Sequence, residues 1–282
     1  MKTKTRFAWK QFLKNLAIIA IPVALQNMLT TTGSMIDTMM IAPLGETTVG
    51  AVGLCAQFSS LMFAGYWGFF GGGMLFFSQY WGAQDDDGID HSYGLTLSCM
   101  MIVGLTFGAF AIFAPETVMK LYTDKESIQV IGAEYLRIIG FGYPVQVFSM
   151  AMSALLRSTE RVRIPLFASI ASVASNIFLN WVFIYGKFGL PEMGVRGAAL
   201  ATVLSQGLSC AWVLAFLCGK KAFLRLRREN LFVSPKLILP CVALGLATFT
   251  MQASESVISV CFNASLLKYL SLIHISEPTR HA

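Results

Sequence analysis

Apolar residues fall into long blocks separated by short polar connections. The blocks run near 13–42, 49–77, 93–113, 128–156, 164–185 and 197–218, and a seventh starts near 237 and fades around 270. Several hold no Asp, Glu, Lys or Arg over about 20 consecutive positions, the length an α-helix needs to cross the hydrocarbon core of a bilayer. The pattern predicts an all-α membrane protein with six transmembrane helices and a partial seventh.

Composition strengthens this reading. Charged residues make up 13% of the chain and hydrophobic residues 55%, against roughly 25% charged in a soluble globular protein. A water-soluble surface cannot be built from that supply. The net charge of +6 is no sign of nucleic acid, because the basic residues cluster between apolar blocks and no aromatic-basic stripe accompanies them. It fits membrane topology instead, since Lys and Arg are retained in cytoplasmic connections. One set of segments carries Lys2, Lys4, Arg6, Lys10 and Lys14, then Arg157, Arg161 and Arg163, then Lys220, Lys221, Arg225, Arg227, Arg228 and Lys236. The opposite set carries only Lys120, Lys125, Lys187 and Arg196. A cytoplasmic N-terminus and a multi-pass arrangement in the plasma (inner) membrane follow. The first block is too long for the core of a signal peptide and lacks a convincing cleavage site.

Several motifs dissolve on inspection. Asp85, Asp86, Asp87 and Asp90 form an acidic connection without the spacing of a calcium loop, so they read as a solvated loop. Gly65, Gly68 and the glycines at 71–73 lack the Lys-Ser or Lys-Thr of a phosphate-binding loop and read as close helix packing, as do Gly104 and Gly108. The six cysteines (Cys55, Cys99, Cys210, Cys218, Cys241 and Cys261) sit in apolar blocks without a Cys-x-x-Cys pair, which leaves packed or lipid-facing thiols rather than metal ligands. Asn263-Ala264-Ser265 fits a glycosylation sequon but lies in an apolar stretch. No His-Glu-x-x-His and no Gly-x-Ser-x-Gly occurs, so the chain does not read as an enzyme.

Intramembrane polar residues carry the candidate chemistry, because an ionised carboxylate at such depth costs at least a few kcal/mol unless it serves a cavity. Asp37 lies in the first block; a carboxylate pairing locally at the membrane edge is the plain alternative. Pro22, fifteen residues earlier, removes a backbone hydrogen bond and is expected to kink or unwind that helix. Asn176 and Asn180, four apart, share one helix face and can line an ion or substrate site; interhelical hydrogen bonding accounts for the pair equally well. Thr202 alone reads as packing. Glu255, in the seventh block, suits a cavity role or a hydrogen-bonded packing role equally. Glu134 and Arg137, three apart, predict a local ion pair, and Tyr135 and Tyr143 read as interior lining or as packing.

Together these residues resemble the MATE (multidrug and toxic compound extrusion) family. The run from Ile-Ala-Ile-Pro22 to Met-Ile-Asp37-Thr-Met-Met and Leu-Gly45-Glu is similar to the family's first helix, and Gln79-Tyr-Trp-Gly82-Ala83 to its Gln-x-x-Gly-Ala. Leu156-Arg157-Ser-Thr, Asn176 to Asn180, and Met193-Gly-Val-Arg-Gly197-Ala-Ala-Leu-Ala-Thr202 follow in order, so the resemblance covers nearly all of 17–267.

The resemblance implies two six-helix lobes around a cavity that opens alternately to either side. On that basis 1–14 is a basic cytoplasmic leader, 15–218 the N-terminal lobe, 219–236 a cytoplasmic linker and 237–270 the first helix of a truncated second lobe. Residues 271–282 read as a non-native tail, and the chain as written is expected not to transport alone. A shift of 226 positions aligns Gln26 with Gln252 and Asp37 with Asn263, a faint echo of the lobe repeat. The resemblance further implies antiport: a proton or sodium ion enters while an organic, often cationic, drug leaves. Asp37 would bind the coupling ion, with Asn176, Asn180 and Thr202 around it and Glu255 as a further acid; a sodium site at Asp37 would be the only metal site. No cofactor beyond the coupling ion is expected, and the partners are the lipid bilayer and small organic cations, with a monomer when full length. Some family members carry Asp where Asn180 stands, which leaves proton against sodium open. A flippase for lipid-linked saccharides and a non-transporting membrane fragment are the alternatives.

Overall fold

The structure, a computed structural model, describes residues 9–159 and 161–217 and isolated positions between 243 and 261. Eight α-helices occur among the described residues: α1 (Trp9–Ile41), α2 (Glu46–Ala83), α3 (Asp86–Phe113), α4 (Pro115–Tyr122), α5 (Glu126–Ile139), α6 (Gly142–Ser158), α7 (Arg163–Ile184) and α8 (Gly194–Leu217). Five stretches, Trp9–Leu44, Glu46–Ala83, Asp87–Phe113, Arg163–Ile184 and Gly194–Leu217, are long and apolar enough to cross a membrane. The block near 128–156 is not one straight helix: α5 and α6 meet at 51° and together form a sixth, broken span.

Side-chain pairs fix the helix directions. Across α2 and α3, Gly65 meets Val103 and Gly73 meets Thr96, so the two run antiparallel. Gly104 faces Val147 and Gly108 faces the Gly140 carbonyl, which sets α3 antiparallel to the α5–α6 span. Gly33 packs on Val173, while Gln26 Nε2 donates to Ser169 Oγ at 2.9 Å and Tyr185 OH to the Met40 carbonyl at 3.0 Å, which makes α1 and α7 parallel neighbours. We call the end carrying the α1–α2, α3–α5 and α7–α8 connections the upper end. The glycines expected to serve close packing do so at Gly73, where a Cβ would lie 1.8 Å from Thr96 Oγ1. The Gly104 and Gly108 approaches likewise let α3 touch the break between α5 and α6.

Much of the outer surface is apolar: Ile18, Leu105, Phe110 and Phe167 are all about half exposed. Lipid, not water, is the solvent such a surface needs. Inside, Met62, Met100, Met152, Leu136 and Val147 are fully buried. Of the acidic connection, Asp85 caps α3 by accepting from the Gly88 amide at 3.1 Å, satisfying one of the first-turn donors. Cys55, Cys99, Cys210 and Cys261 are free thiols, and Cys55 is packed against Met119 and the Gly132 carbonyl.

Candidate functional site

The polar residues of three helices converge near the upper end. α1 has few buried positions, Gln26, Gly33 and Ile41 among them, and these lie on the stripe that faces α7. Asp37, half-buried, sits on that stripe beyond Gly33. On α7 the four-residue spacing puts Asn176 and Asn180 on one face, and Asn180 is completely buried. On α8 the Gly194–Leu217 helix starts tightly against α7, because a Cβ on Gly197 would lie 2.7 Å from the Phe183 carbonyl carbon. That close approach brings Thr202 level with Asn176.

The resulting chain of donors has one direction. Thr202 donates to its own helix at the Ala198 carbonyl (3.0 Å) and accepts from Asn176 Nδ2 at 3.5 Å. Asn180 Nδ2 donates to Asn176 Oδ1 at 3.3 Å and also to Asp37 Oδ1. Among the described residues, Asn180 Oδ1 is left buried with no hydrogen-bond partner. A buried carbonyl oxygen without a donor is uncommon. Here it stands beside a carboxylate, in a cluster otherwise offering Asn176 Oδ1 and Thr202 Oγ1. The arrangement is rich in acceptors, which is what a proton or a small hard cation seeks.

Four of the predicted site residues, Asp37, Asn176, Asn180 and Thr202, are therefore brought together. Pro22 lies toward the lower end of α1, and the helix continues unbroken through it, so it is not unwound there. Glu255 lies outside the described residues.

Two features escaped sequence reasoning. Tyr135, buried on α5, lies close to Thr202 and Asp37 and so borders the cluster. No local pattern announces that proximity, which joins residues on different spans. The expected Glu134–Arg137 pair does not form. Glu134 instead holds Arg196 of α8 through two bonds, Nε at 3.0 Å and Nη2 at 2.6 Å, while Arg137 pairs with Glu116 of α4 at 2.7 Å. Across α5 each charge finds a better-aligned partner on a neighbouring helix, and a two-point guanidinium fork outcompetes a same-helix contact.

Known proteins share parts of this sequence and this fold. The MatE family model matches residues 22–182. The protein described as "Probable multidrug resistance protein YoeA" from Bacillus subtilis (strain 168) is 25% identical over 236 residues, 82% of this chain and 51% of that protein. The "Probable multidrug resistance protein NorM" of Thermotoga maritima is 35% identical over 122 residues, 43% of this chain and 26% of that protein. The chain thus spans about half, or less, of the length of the curated relatives it matches. Among solved structures, a MOP superfamily transporter from Pyrococcus furiosus superposes with a TM-score of 0.78 at 23% identity, covering 89% of this chain and 55% of that one. A MATE structure in the bent conformation gives 0.77 at 24% identity over the same shares. At these identities the structural likeness establishes the fold.

Proposed function

The chain belongs to the MatE family, and from that premise we propose that it serves multidrug efflux, exchanging an incoming proton or sodium ion for an outgoing organic, often cationic, compound. Asp37 is the coupling carboxylate, Asn176, Asn180 and Thr202 form its polar surround, and Glu255 is a further acid on the same path. Residues 15–218 act as one six-span lobe of a plasma-membrane transporter that works as a monomer and needs no resident cofactor. The upper end faces outward and the N-terminus lies in the cytoplasm, in keeping with the distribution of Lys and Arg.

The observation that carries this reading is the Asn180–Asp37 hydrogen bond beside an orphaned Asn180 carbonyl oxygen. A structural carboxylate would be saturated with donors; this one keeps acceptors around it. Arrival of a cation removes net negative charge from the α1–α7 seam and changes which α1 conformation is favoured, and a ligand that binds two states unequally shifts their populations. Pro22 supplies the point where α1 lacks a backbone hydrogen bond and can bend. The names of the relatives, multidrug resistance proteins, support the cargo class. A lipid-linked saccharide would need basic residues for its phosphates, and Arg137 is already engaged by Glu116, which leaves Arg157, at the lower end of α6 and away from the Asp37 cluster.

Dye efflux from membrane vesicles carrying the full two-lobe transporter, under an imposed proton or sodium gradient, tests the proposal. Asp37→Asn keeps the side-chain size and removes the charge, so gradient-driven efflux should disappear while the amount of folded protein stays near wild type. Glu134→Gln should cost far less. Near-normal coupled efflux by Asp37→Asn would remove Asp37 from the coupling role and make Glu255 the leading acid.

A further inference from the structure

We propose that the Glu134–Arg196 ion pair is a positioning element for the cation site, fixing the rotation of α5 against α8, the helix that carries Thr202. The inference rests on the functional reading of the Asp37 cluster given above.

The case begins with the independence of α5. It has 14 residues and is bounded by a non-helical turn around Thr123 and by the break before Gly142. A helix so short, interrupted at both ends, takes its orientation from its side contacts. Arg137 ties it to α4 through Glu116, and Glu134 ties its other flank to α8 through Arg196. Between them Leu136 is fully buried and Tyr135 points into the lobe.

Arg196 is a well-fixed anchor. Its neighbour Gly197 lies against the backbone of Phe183, and the Met193 amide donates to the Phe183 carbonyl at 3.0 Å, so the start of α8 is bound to the end of α7. α7 carries Asn176 and Asn180. The ion pair therefore joins α5 to the two helices that hold the polar surround of Asp37. Its two-point geometry matters, since a fork of two parallel bonds resists rotation where one bond does not. Glu134 and Tyr135 are adjacent, so a rotation of α5 that frees the first also moves the second out of its buried place. The start of α8, and with it Thr202, then loses a fixed neighbour, and the acceptor cluster around Asp37 loosens.

Charge reversal tests this. The measured quantity is the concentration of sodium ion, or of proton, that gives half-maximal dye efflux in vesicles, followed beside the half-saturating dye concentration and the amount of folded protein. Glu134→Gln and Arg196→Gln should each weaken the ion dependence by about fivefold, the ceiling an exposed ion pair sets, with dye half-saturation unchanged. Arg196→Lys, which keeps the charge but not the fork, should fall between. The reversed pair E134R/R196E should return to within about twofold of wild type, because the attraction is restored with its partners exchanged. If Glu134→Gln does not fold, Arg196→Lys and the reversed pair carry the test. Wild-type ion dependence in the single variants, or a reversed pair no better than Glu134→Gln or Arg196→Gln, would overturn the positioning role. Efflux that follows neither ion in the wild-type protein would instead overturn the reading of Asp37, and this inference with it.

Discussion

Asn180 is the residue on which the site turns, because one amide group donates to both Asp37 and Asn176 while its own oxygen stays buried without a partner. Replacing it with Leu, which keeps the branching and the number of side-chain heavy atoms, removes the donor to a charged group, a contact worth about 1.5–3 kcal/mol. Without that donor the ion-free Asp37 carboxylate is less stable, so half-maximal efflux in the vesicle assay should need at least about tenfold less of a coupling proton. A second buried oxygen gives the opposite expectation. Tyr66 is 2% exposed and its hydroxyl has no hydrogen-bond partner, although nothing in the proposed mechanism uses it. Tyr66→Phe removes a desolvated polar group at no cost in shape, so the thermal midpoint in detergent should hold or rise by about 2–4 °C, corresponding to roughly 1 kcal/mol. A fall of several degrees would mean that the hydroxyl is satisfied by something outside the described residues. The sequence made Asp37 legible because a carboxylate in an apolar run is costly, and the spacing of four made the Asn176–Asn180 face legible. It could not show Tyr135 close to Thr202, since depth in a block tells nothing about which distant span lies opposite. Glu134 was misread for the same reason: spacing of three favours a local partner, and only the packing of α5 on α8 brings Arg196 within reach.

Helices pack here by removing side chains, and the positions where that matters can be separated from those where it does not. Gly197 and Gly207 lie on the same helix, α8. At Gly197 a Cβ would meet the carbonyl carbon, the carbonyl oxygen and the following amide of the Phe183–Ile184 backbone at 2.7, 2.8 and 3.0 Å; at Gly207 nothing lies within 4 Å. Backbone cannot rotate away as a side chain can. Gly197→Ala should therefore lower stability by about 1–3 kcal/mol, as overpacking does, and should also weaken ion coupling, because it pushes Thr202 away from Asn176. Gly207→Ala should be neutral or stabilising by up to about 1 kcal/mol, through the helix propensity of Ala. Thermal unfolding of the two variants side by side checks both. Block length correctly predicted the helical spans, since that signal depends only on bilayer thickness. The break between Ile139 and Gly142 was hidden because Gly140, Phe141 and Gly142 are apolar or neutral and leave the block uninterrupted. What maintains the bend is a contact from elsewhere: α3 approaches so closely that a Cβ on Gly140 would lie 2.9 Å from the Ala111 Cβ and 3.2 Å from the Gly108 carbonyl.

At the scale of the whole molecule the six spans give two ends with different charge, and the assignment of those ends to the two sides of the membrane decides the direction of every proposed flux. By sequence, the segments joining or continuing the lower helix ends carry fourteen Lys and Arg, with Arg157, Arg161 and Arg163 around the α6–α7 connection among them, whereas the upper connections carry Lys120, Lys125, Lys187 and Arg196, and Arg196 and, on α5, Arg137 are paired with carboxylates. Positive charge is retained on the cytoplasmic side, so the lower end should lie inside and Asp37, near the top of α1, should meet the cation first from outside. Single cysteines at exposed turn positions read this directly once the native thiols are replaced by Ala or Ser. Asp124→Cys in the α4–α5 turn and Phe188→Cys in the α7–α8 turn should react with a membrane-impermeant maleimide added to intact cells. Gln84→Cys in the α2–α3 turn should react only after permeabilisation. Gln84 sits in the left-handed region at φ 57°, and Phe188 at φ 58°, so replacing either trades one strained side chain for another and should leave the turns in place. Labelling of Gln84→Cys in intact cells, with Asp124→Cys protected, would invert the orientation. The cation would then approach Asp37 from the cytoplasm, and an inward gradient could not drive the exchange as proposed.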